Sequence, residues 1–310
     1  MLRPSITTLA LMLALSAMVS VSNNAFAQAQ QAQAPKVLLV SDIDDTIKVS
    51  HVLNKVGQFA RAVDATTPFK GMAQLYQLIF NQNPATTKIA YLSNAPKDFS
   101  ALPNAPKELG VIPASNLTHQ FFLDFNRFPK GELILREDLQ DQDHKAKALR
   151  RLIETERPDI LILIGDNGEK DVDFYKQAID EHAYMKNMLV FTFIHQLYKS
   201  EPSFYLPAFL DETGRILFAN QIGFVTPIEI ALKLKEQNII GQDKLDWMLK
   251  NVAPAIVAEA SLKWDGLKPI SFPFFKKCPD FKWNFQRTMP SYELSLQLQK
   301  LIHRIESECN

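Results

Sequence analysis

The chain has 310 residues, 46% of them hydrophobic, with 34 Lys and Arg against 34 Asp and Glu. This length suits one large globular domain, or one domain with a substantial extension. The zero net charge and the lack of a basic stripe argue against nucleic-acid binding, which needs Lys and Arg gathered on one surface.

Residues 1–27 predict a signal peptide. Arg3 supplies a short positive region, an apolar stretch follows from Leu9 to Val21, and Ala25-Phe26-Ala27 has the small-x-small pattern of a cleavage site. The alternative is an N-terminal membrane anchor, which is weaker because a spanning helix needs roughly 20 apolar residues. We therefore expect a bacterial protein exported to the periplasm or secreted, with residues 28–35 as a flexible leader and no transmembrane segment in the mature chain.

Four short apolar runs predict strands that are covered by helices on both faces, since they are continuous rather than alternating. Between them, apolar residues recur at helical spacing. The predicted strands are residues 36–41, 88–93, 159–166 and 188–195, and the predicted helices are residues 71–80, 145–156 and 171–182. Alternation of strand and helix predicts an α/β fold with a doubly wound parallel sheet.

The C-terminal part is expected to be a mostly helical extension, residues 241–310, packed on a catalytic domain of residues 36–240. From residue 214 onward, the apolar pattern predicts a strand at 216–218 and helices at 227–235, 243–259 and 292–305. An exported chain can form disulfides, and Cys278 and Cys309 are its two cysteines. A disulfide and two separate thiols are equally open from the sequence.

Polar residues end three of the apolar runs: Asp42, Ser93 and Asp166. Functional groups in such folds collect outside the carboxyl ends of the strands, so these side chains should meet. Asp42, Asp44 and Asp45 are like charges that resist joint ionisation unless something compensates them. A divalent cation does so, and carboxylate oxygens suit Mg²⁺. Helix capping alone would explain each acidic residue singly. It would not explain two acidic clusters, one from Asp42 to Asp45 and one with Asp166 and Asp171, together with Ser93.

The motifs resemble those of the haloacid-dehalogenase (HAD) superfamily. Asp42-Ile43-Asp44-Asp45-Thr46 is similar to its first motif, Ser93 to the second and Gly165–Asp171 to the fourth. Further runs narrow the resemblance to the catalytic domain of the actin-patch-type phosphatidate phosphatases. These runs are residues 41–48, 68–71, 91–96, 128–131, 144–145 and 165–169.

The resemblance implies the catalytic roles. Asp42 would be the nucleophile that forms an aspartyl-phosphate, and Asp44 the general acid and base. Ser93 and the third-motif lysine would bind the phosphoryl oxygens. That lysine is taken as Lys145, after His144, in preference to Lys147 and Lys130.

The resemblance also implies a Mg²⁺ site made by Asp42, the backbone carbonyl of Asp44, and Asp166, with Asp171 supporting the ligand shell. The remaining motif residues are expected to orient these groups. They are Asp45, Thr46, Asn94 and Asn167.

Segments around the motifs leave room only for a minimal cap. Residues 52–63 predict one helix, and a loop with an aromatic stretch, residues 121–125, precedes Lys145. The aromatic residues favour core packing over contact with lipid. A sparsely capped site would admit a bulky phosphomonoester, with a phosphatidate-like lipid phosphate at a membrane surface as the leading substrate.

Two alternatives remain: a phosphatase of soluble esters, such as nucleotides, sugar phosphates or phosphoproteins, and a binding protein without turnover. The sequence does not indicate the oligomeric state.

Overall fold

Parallel strands form the centre of the computed structural model, which describes residues 34–50, 52–53, 66–97, 115–201, 213–259, 278 and 280–309. The predicted signal peptide, most of the predicted leader and most of the predicted helix 52–63 lie outside the described residues. Among the described residues, no helix has the length and apolar character needed to cross a membrane.

The sheet has the strand order β3-β2-β1-β4-β5-β6, and every neighbouring pair is parallel. The chain moves outward from β1 to β3 and then returns to β4 on the other side of β1. The point where the order reverses therefore lies between β1 and β4, and in such sheets this crevice is where ligands bind. The strands are β1 (Val37–Asp42), β2 (Thr87–Pro96), β3 (Glu132–Arg136), β4 (Ile160–Asp166), β5 (Leu189–His195) and β6 (Ile222–Phe224).

Helices cover both faces of the sheet, which confirms the predicted fold class. They are α1 (Met72–Gln82), α2 (Ser115–Phe125), α3 (His144–Glu156), α4 (Asp171–Glu181), α5 (Pro227–Glu236), α6 (Gln242–Asn251), α7 (Ala253–Val257) and α8 (Tyr292–Cys309). Leu38 and Val40 of β1 share a hydrophobic cluster with α3 and α4, whereas Leu39 belongs to the cluster with the other six helices. This alternation is the period of a strand buried on both faces.

Two C-terminal predictions are wrong. Residues 216–218 do not form a strand, because the strand that pairs with β5 is Ile222–Phe224. Ile216 remains exposed, whereas Phe224 is fully buried. The strand therefore forms where the chain is buried beside β5, and apolar content alone does not predict it. The helix predicted over 243–259 is divided into α6 and α7 at Val252. Pro254 has no N–H to continue the hydrogen bonding of α6, so a new helix begins.

Two elements were not predicted as such. The stretch interpreted as a loop with aromatic residues is the helix α2, and β3 forms the edge of the sheet next to β2. The loop assignment of the aromatic stretch is therefore wrong, since all of residues 121–125 lie in α2.

The C-terminal helices extend the main hydrophobic core. Leu298, Leu301 and Ile305 of α8 are fully buried in the same cluster as α1 and α5. Cys278 and Cys309 form a disulfide, which decides between the two alternatives left open by the sequence. The division of the chain at residue 240 stays a prediction.

Candidate active site

Three buried carboxylates meet where β1 and β4 end. Asp42 is the last residue of β1, Asp166 is the last residue of the neighbouring strand β4, and Asp171 is the first residue of α4. One carboxylate oxygen from each lies within 4.8 Å of the others. Gly165 permits this approach, since a Cβ there would lie 2.7 Å from Asp171 Oδ2.

Lys145 supplies a positive charge to this cluster. It lies in the first turn of α3, its side chain is 1% exposed, and its Nζ is 2.6 Å from Asp42 Oδ1 and 2.7 Å from Asp171 Oδ1. Thr46 Oγ1 donates to the other oxygen of Asp42 at 2.9 Å. The Asp42 carboxylate is thus held through both oxygens. The other two candidate lysines lie elsewhere: Lys130 is exposed, and Lys147 pairs with Asp141 at the surface.

The cluster holds more negative than positive charge. Burial, reinforced by Asp171, raises the pKa of both Asp42 and Asp166, although Lys145 lowers that of Asp42. Burial lowers the pKa of Lys145, but Asp171 and Asp42 outweigh it and leave that pKa raised. Lys145 is therefore ionised, and the carboxylates need further positive charge to be ionised together.

The donor atoms fit a hard divalent cation. Asp166 Oδ2 and Asp171 Oδ2 are buried and have no hydrogen-bond partner among the described residues. Buried carboxylate oxygens without partners are costly unless they bind a cation. Asp42, Asp166 and Asp171 therefore have the chemistry and the spacing of a divalent metal site.

The Asp44 side chain has hydrogen-bond partners outside this cluster of three carboxylates. It accepts hydrogen bonds from Ser50 Oγ at 2.6 Å and Ser93 Oγ at 3.0 Å, and His119 Nε2 lies 3.2 Å from its Oδ2. Burial raises the pKa of Asp44, but the charges of His119 and Lys48 and these hydrogen bonds outweigh burial and hold the pKa well below its usual range. In this arrangement Asp44 is a carboxylate, which can accept a proton.

The turn after β1 is fixed by Asp45. Its backbone has φ +58°, a left-handed conformation that Asp tolerates better than most residues. Its carboxylate accepts hydrogen bonds from the backbone N–H of Ser50 at 2.9 Å, the N–H of Val52 at 2.8 Å and the hydroxyl of Tyr198. His195 Nδ1 lies 3.1 Å from the backbone oxygen of Asp45. Asp45 thus orders the segment that carries Asp44.

The two predicted asparagines support neighbouring segments. Asn94 donates to Glu169 at 2.9 Å, and Glu169 in turn lies 3.8 Å from Lys145 Nζ. Asn167 Oδ1 accepts from the backbone N–H groups of Leu197 and Tyr198, so it anchors the chain after β5. The structure does not bring Asn167 into contact with Asp42.

The sequence interpretation missed His119. In α2, Thr118, His119, Phe122 and Leu123 are buried, and these positions follow helical spacing. A helical interpretation of this stretch would have placed His119 on the buried face, where a polar side chain needs a partner. The contact with Asp44 itself spans 75 residues and has no local signal.

The chain is similar to one protein family and to a solved structure. Residues 37–190 match the family described as phosphatidate phosphatase APP1, catalytic domain, and that range includes every candidate site residue. Among solved structures, the chain is similar to a class C acid phosphatase from Bacillus anthracis with tungstate bound, at 16% identity and a TM-score of 0.32. That likeness covers 53% of this chain and 68% of that chain. No curated protein matches the sequence.

Proposed function

Because residues 37–190 belong to the phosphatidate phosphatase APP1 catalytic domain family and the protein is a phosphatase, we propose that it forms an aspartyl-phosphate on Asp42. The observation that carries this proposal is the Asp42 carboxylate itself. It lies at the reversal of strand order, held by Lys145 and Thr46 beside two further carboxylates.

In the first step, an oxygen of Asp42 attacks phosphorus, and the bond between phosphorus and the leaving oxygen breaks. Asp44, a carboxylate in the free site, first takes up a proton from solvent when the substrate is bound, and it then gives that proton to the leaving oxygen, so that the alcohol departs neutral. Ser93 and Lys145 bind phosphoryl oxygens and stabilise the charge that develops on them. Ser93 is bonded to Asp44 at 3.0 Å, and Lys145 to Asp42 at 2.6 Å, which supports their position between the reacting groups.

In the second step, the oxygen of a water molecule attacks the phosphorus of the aspartyl-phosphate. Asp44 takes the proton from that water, and the bond between Asp42 and phosphorus breaks. Inorganic phosphate leaves, Asp44 releases to solvent the proton that it took from the water, and Asp42 and Asp44 are again carboxylates. The donors around Asp44 support this base role, because they stabilise its ionised form.

The metal is proposed to be Mg²⁺, held by Asp42, Asp166 and the backbone carbonyl of Asp44, with Asp171 supporting them. When bound, it neutralises carboxylate and phosphoryl charge. The partnerless oxygens of Asp166 and Asp171 support this assignment.

We further propose that the substrate is a lipid phosphomonoester of the phosphatidate type, met by an exported enzyme at a membrane surface. The description of the matched family supports the lipid, and the predicted signal peptide supports export. A soluble phosphate ester is the competing substrate class.

Hydrolysis of p-nitrophenyl phosphate by wild type and Asp42→Asn tests the mechanism. We expect the substitution to lower kcat by roughly 10⁴- to 10⁶-fold, as removal of a nucleophile does. Acid quenching with a ³²P-labelled substrate should trap label on the wild type, and hydroxylamine should release it. Asp141→Asn is the matched control, because Asp141 pairs at the surface with Lys147. Equal activity of wild type and Asp42→Asn would overturn the mechanism.

Two further comparisons test the finer proposals. A chelator should abolish turnover, and added Mg²⁺ should restore it. Detergent-dispersed phosphatidate should be hydrolysed with a higher kcat/KM than nucleotides or sugar phosphates. A preference for the soluble esters would reject the lipid substrate while leaving the aspartyl-phosphate mechanism intact.

A further inference from the structure

Helix α2 has two chemically different faces. One is buried and carries His119, Phe122 and Leu123. The other carries Leu117, Phe121 and Phe125, which are 62%, 54% and 57% exposed. These three residues are spaced four apart, so they form one row about 12 Å long at 1.5 Å per residue. We call this row the α2 stripe.

Two aromatic rings of the α2 stripe contact each other. The rings of Phe121 and Phe125 stack on each other, with centroids 5.6 Å apart and an angle of 22° between them. Each ring therefore covers part of its neighbour, and both residues remain more than half exposed. A contiguous exposed apolar surface of this kind marks an interaction site more often than scattered single residues do.

The charges beside the α2 stripe complement an anionic surface. Arg127 and Lys130 follow α2 directly, are exposed, and have no carboxylate partner among the described residues. The acidic residue on the same face, Asp124, accepts a hydrogen bond from Gln120 at 3.1 Å. Aromatic and aliphatic side chains with nearby cations are the composition of segments that lie at the boundary of headgroups and acyl chains.

The same helix contacts the catalytic acid and base. His119 Nε2 lies 3.2 Å from Asp44 Oδ2, on the face of α2 opposite the α2 stripe. A helix with its side chains is about 10–12 Å in diameter. Asp44 and the exposed aromatic rings are thus separated by little more than one helix. A phosphate presented at a surface that covers the α2 stripe would lie close to the site.

We propose that the α2 stripe, together with Arg127 and Lys130, seats this enzyme on an anionic lipid bilayer. The inference rests on the proposed function, because it explains how the site reaches a lipid phosphomonoester. The bilayer provides the substrate, and α2 is both the contact with the bilayer and the support of Asp44.

Vesicle binding tests the surface without turnover. The Asp42→Asn protein is sedimented with phosphatidylcholine vesicles, with and without phosphatidylglycerol. Adding Phe121→Ser and Phe125→Ser should reduce the partition coefficient at least tenfold on both kinds of vesicle. Adding Arg127→Gln and Lys130→Gln instead should reduce binding several-fold on vesicles with phosphatidylglycerol and leave binding to phosphatidylcholine unchanged.

The matched control lies on α8, where Tyr292 and Leu296 are also exposed and four residues apart. Tyr292→Ser with Leu296→Ser should leave vesicle binding unchanged. Circular dichroism of each variant checks folding, and exposed positions should tolerate these changes. The inference is wrong if the Phe121 and Phe125 variant binds vesicles as the parent protein does. It is equally wrong if the Tyr292 and Leu296 variant loses as much binding as the Phe121 and Phe125 variant. It is also wrong if the parent protein is a dimer that binds no vesicles and the α2 variant is a monomer.

Activity then separates this inference from the proposed function. With Asp42 intact, the Phe121 and Phe125 variant should lose at least tenfold in the hydrolysis of phosphatidate in vesicles. Its kcat/KM for p-nitrophenyl phosphate should stay within twofold of wild type. Unchanged hydrolysis of phosphatidate would refute the inference and leave the lipid substrate standing. Binding through the α2 stripe without any hydrolysis of phosphatidate would refute the lipid substrate and leave the surface standing.

Discussion

The carboxyl ends of β1 and β4 and the layer formed by α5 to α8 are both deeply buried, but they differ in what they bury. At the strand ends, Asp42, Asp166, Asp171 and Lys145 place three carboxylates around one ammonium. In the helical layer, leucine and isoleucine side chains fill a continuous core. A disulfide joins Cys309 at the end of α8 to Cys278.

The two regions also differ in how their polar atoms are satisfied. Two carboxylate oxygens of the strand-end cluster have no partner among the described residues. At the start of α5, by contrast, the buried carboxylate of Glu229 accepts from the backbone N–H groups of Val225 and Thr226 at 2.9 Å each. The comparison teaches that burial at the strand ends serves chemistry and burial in the helical layer serves stability. Substitutions should therefore separate activity from stability.

Among the substitutions that compare the two regions, Lys145→Met should have the largest effect. It removes the ammonium that binds Asp42 and Asp171, so kcat/KM for p-nitrophenyl phosphate should fall by roughly 10²- to 10³-fold. The free energy of unfolding should also fall by about 3–5 kcal/mol without added metal, because two buried carboxylates lose their partner. Urea unfolding and steady-state kinetics measure the two effects. Lys147→Met, at an exposed position on the same helix, should change neither.

If Lys145→Met retained activity, the buried ion pair at the strand ends would serve stability and not chemistry. The proposed difference between the two regions would then be wrong. Lys145→Arg refines the comparison, because a guanidinium keeps the charge but not the compact shape of an ammonium. Stability should recover more than activity in that variant.

How far the sequence predicts this contrast depends on the element. The apolar runs of β1 and β4 are buried on both faces, so their continuous pattern and the acidic residues at their ends are visible locally. β3 gives no such signal, since it lies at the edge of the sheet with only Leu135 fully buried. The choice of Ile222–Phe224 over 216–218 depends on pairing with β5, which is a tertiary contact.

The sequence predicts the site residues that lie near the ends of strands. It does not predict contacts between residues that are distant in the chain. Asp42 and Asp166 end their strands, and Ser93 follows Leu92, the β2 residue that pairs with Asp42, so parallel pairing brings all three to one edge. His119 reaches Asp44 from a helix whose aromatic run concealed its periodicity. The side-chain partners of Asn167 and one partner of Asp45, the hydroxyl of Tyr198, come from the chain after β5, and neither motif indicates them.

A smaller effect, confined to stability, is expected in the helical layer from Cys278→Ser with Cys309→Ser. The disulfide joins residues 31 apart, and a loop of that length constrains the unfolded chain by about 4 kcal/mol. The free energy of unfolding should fall by up to that amount, while kcat for p-nitrophenyl phosphate stays within twofold of wild type. Treatment of the wild type with dithiothreitol should reproduce the loss, and the double variant should not respond to it. A parallel fall in activity would show that the two regions are coupled.

The smallest effect concerns Glu229, the buried carboxyl group of the helical layer. Burial raises its pKa from 4.5 to about 7, although Thr226 and nearby backbone N–H groups lower it. The folded state therefore holds a proton that the unfolded state loses above pH 4.5. The stability that this protonated group contributes is complete below pH 4.5 and is lost as the pH rises through about 7. The loss should approach about 3 kcal/mol, from 1.36 kcal/mol for each pKa unit.

Glu229→Gln isolates this dependence. The amide oxygen can still accept from the N–H groups of Val225 and Thr226, and the amide nitrogen can donate to the hydroxyl of Thr226, so the cap at the start of α5 should persist. Urea unfolding of wild type and variant at pH 4.5, 6 and 8 should show a difference in stability that grows in favour of the variant as the pH rises. Activity at each pH should be the same in both proteins, because Glu229 belongs to the layer that serves stability. A constant difference across the series would mean that folding leaves the pKa of Glu229 unchanged, because its hydrogen bonds then offset the effect of burial.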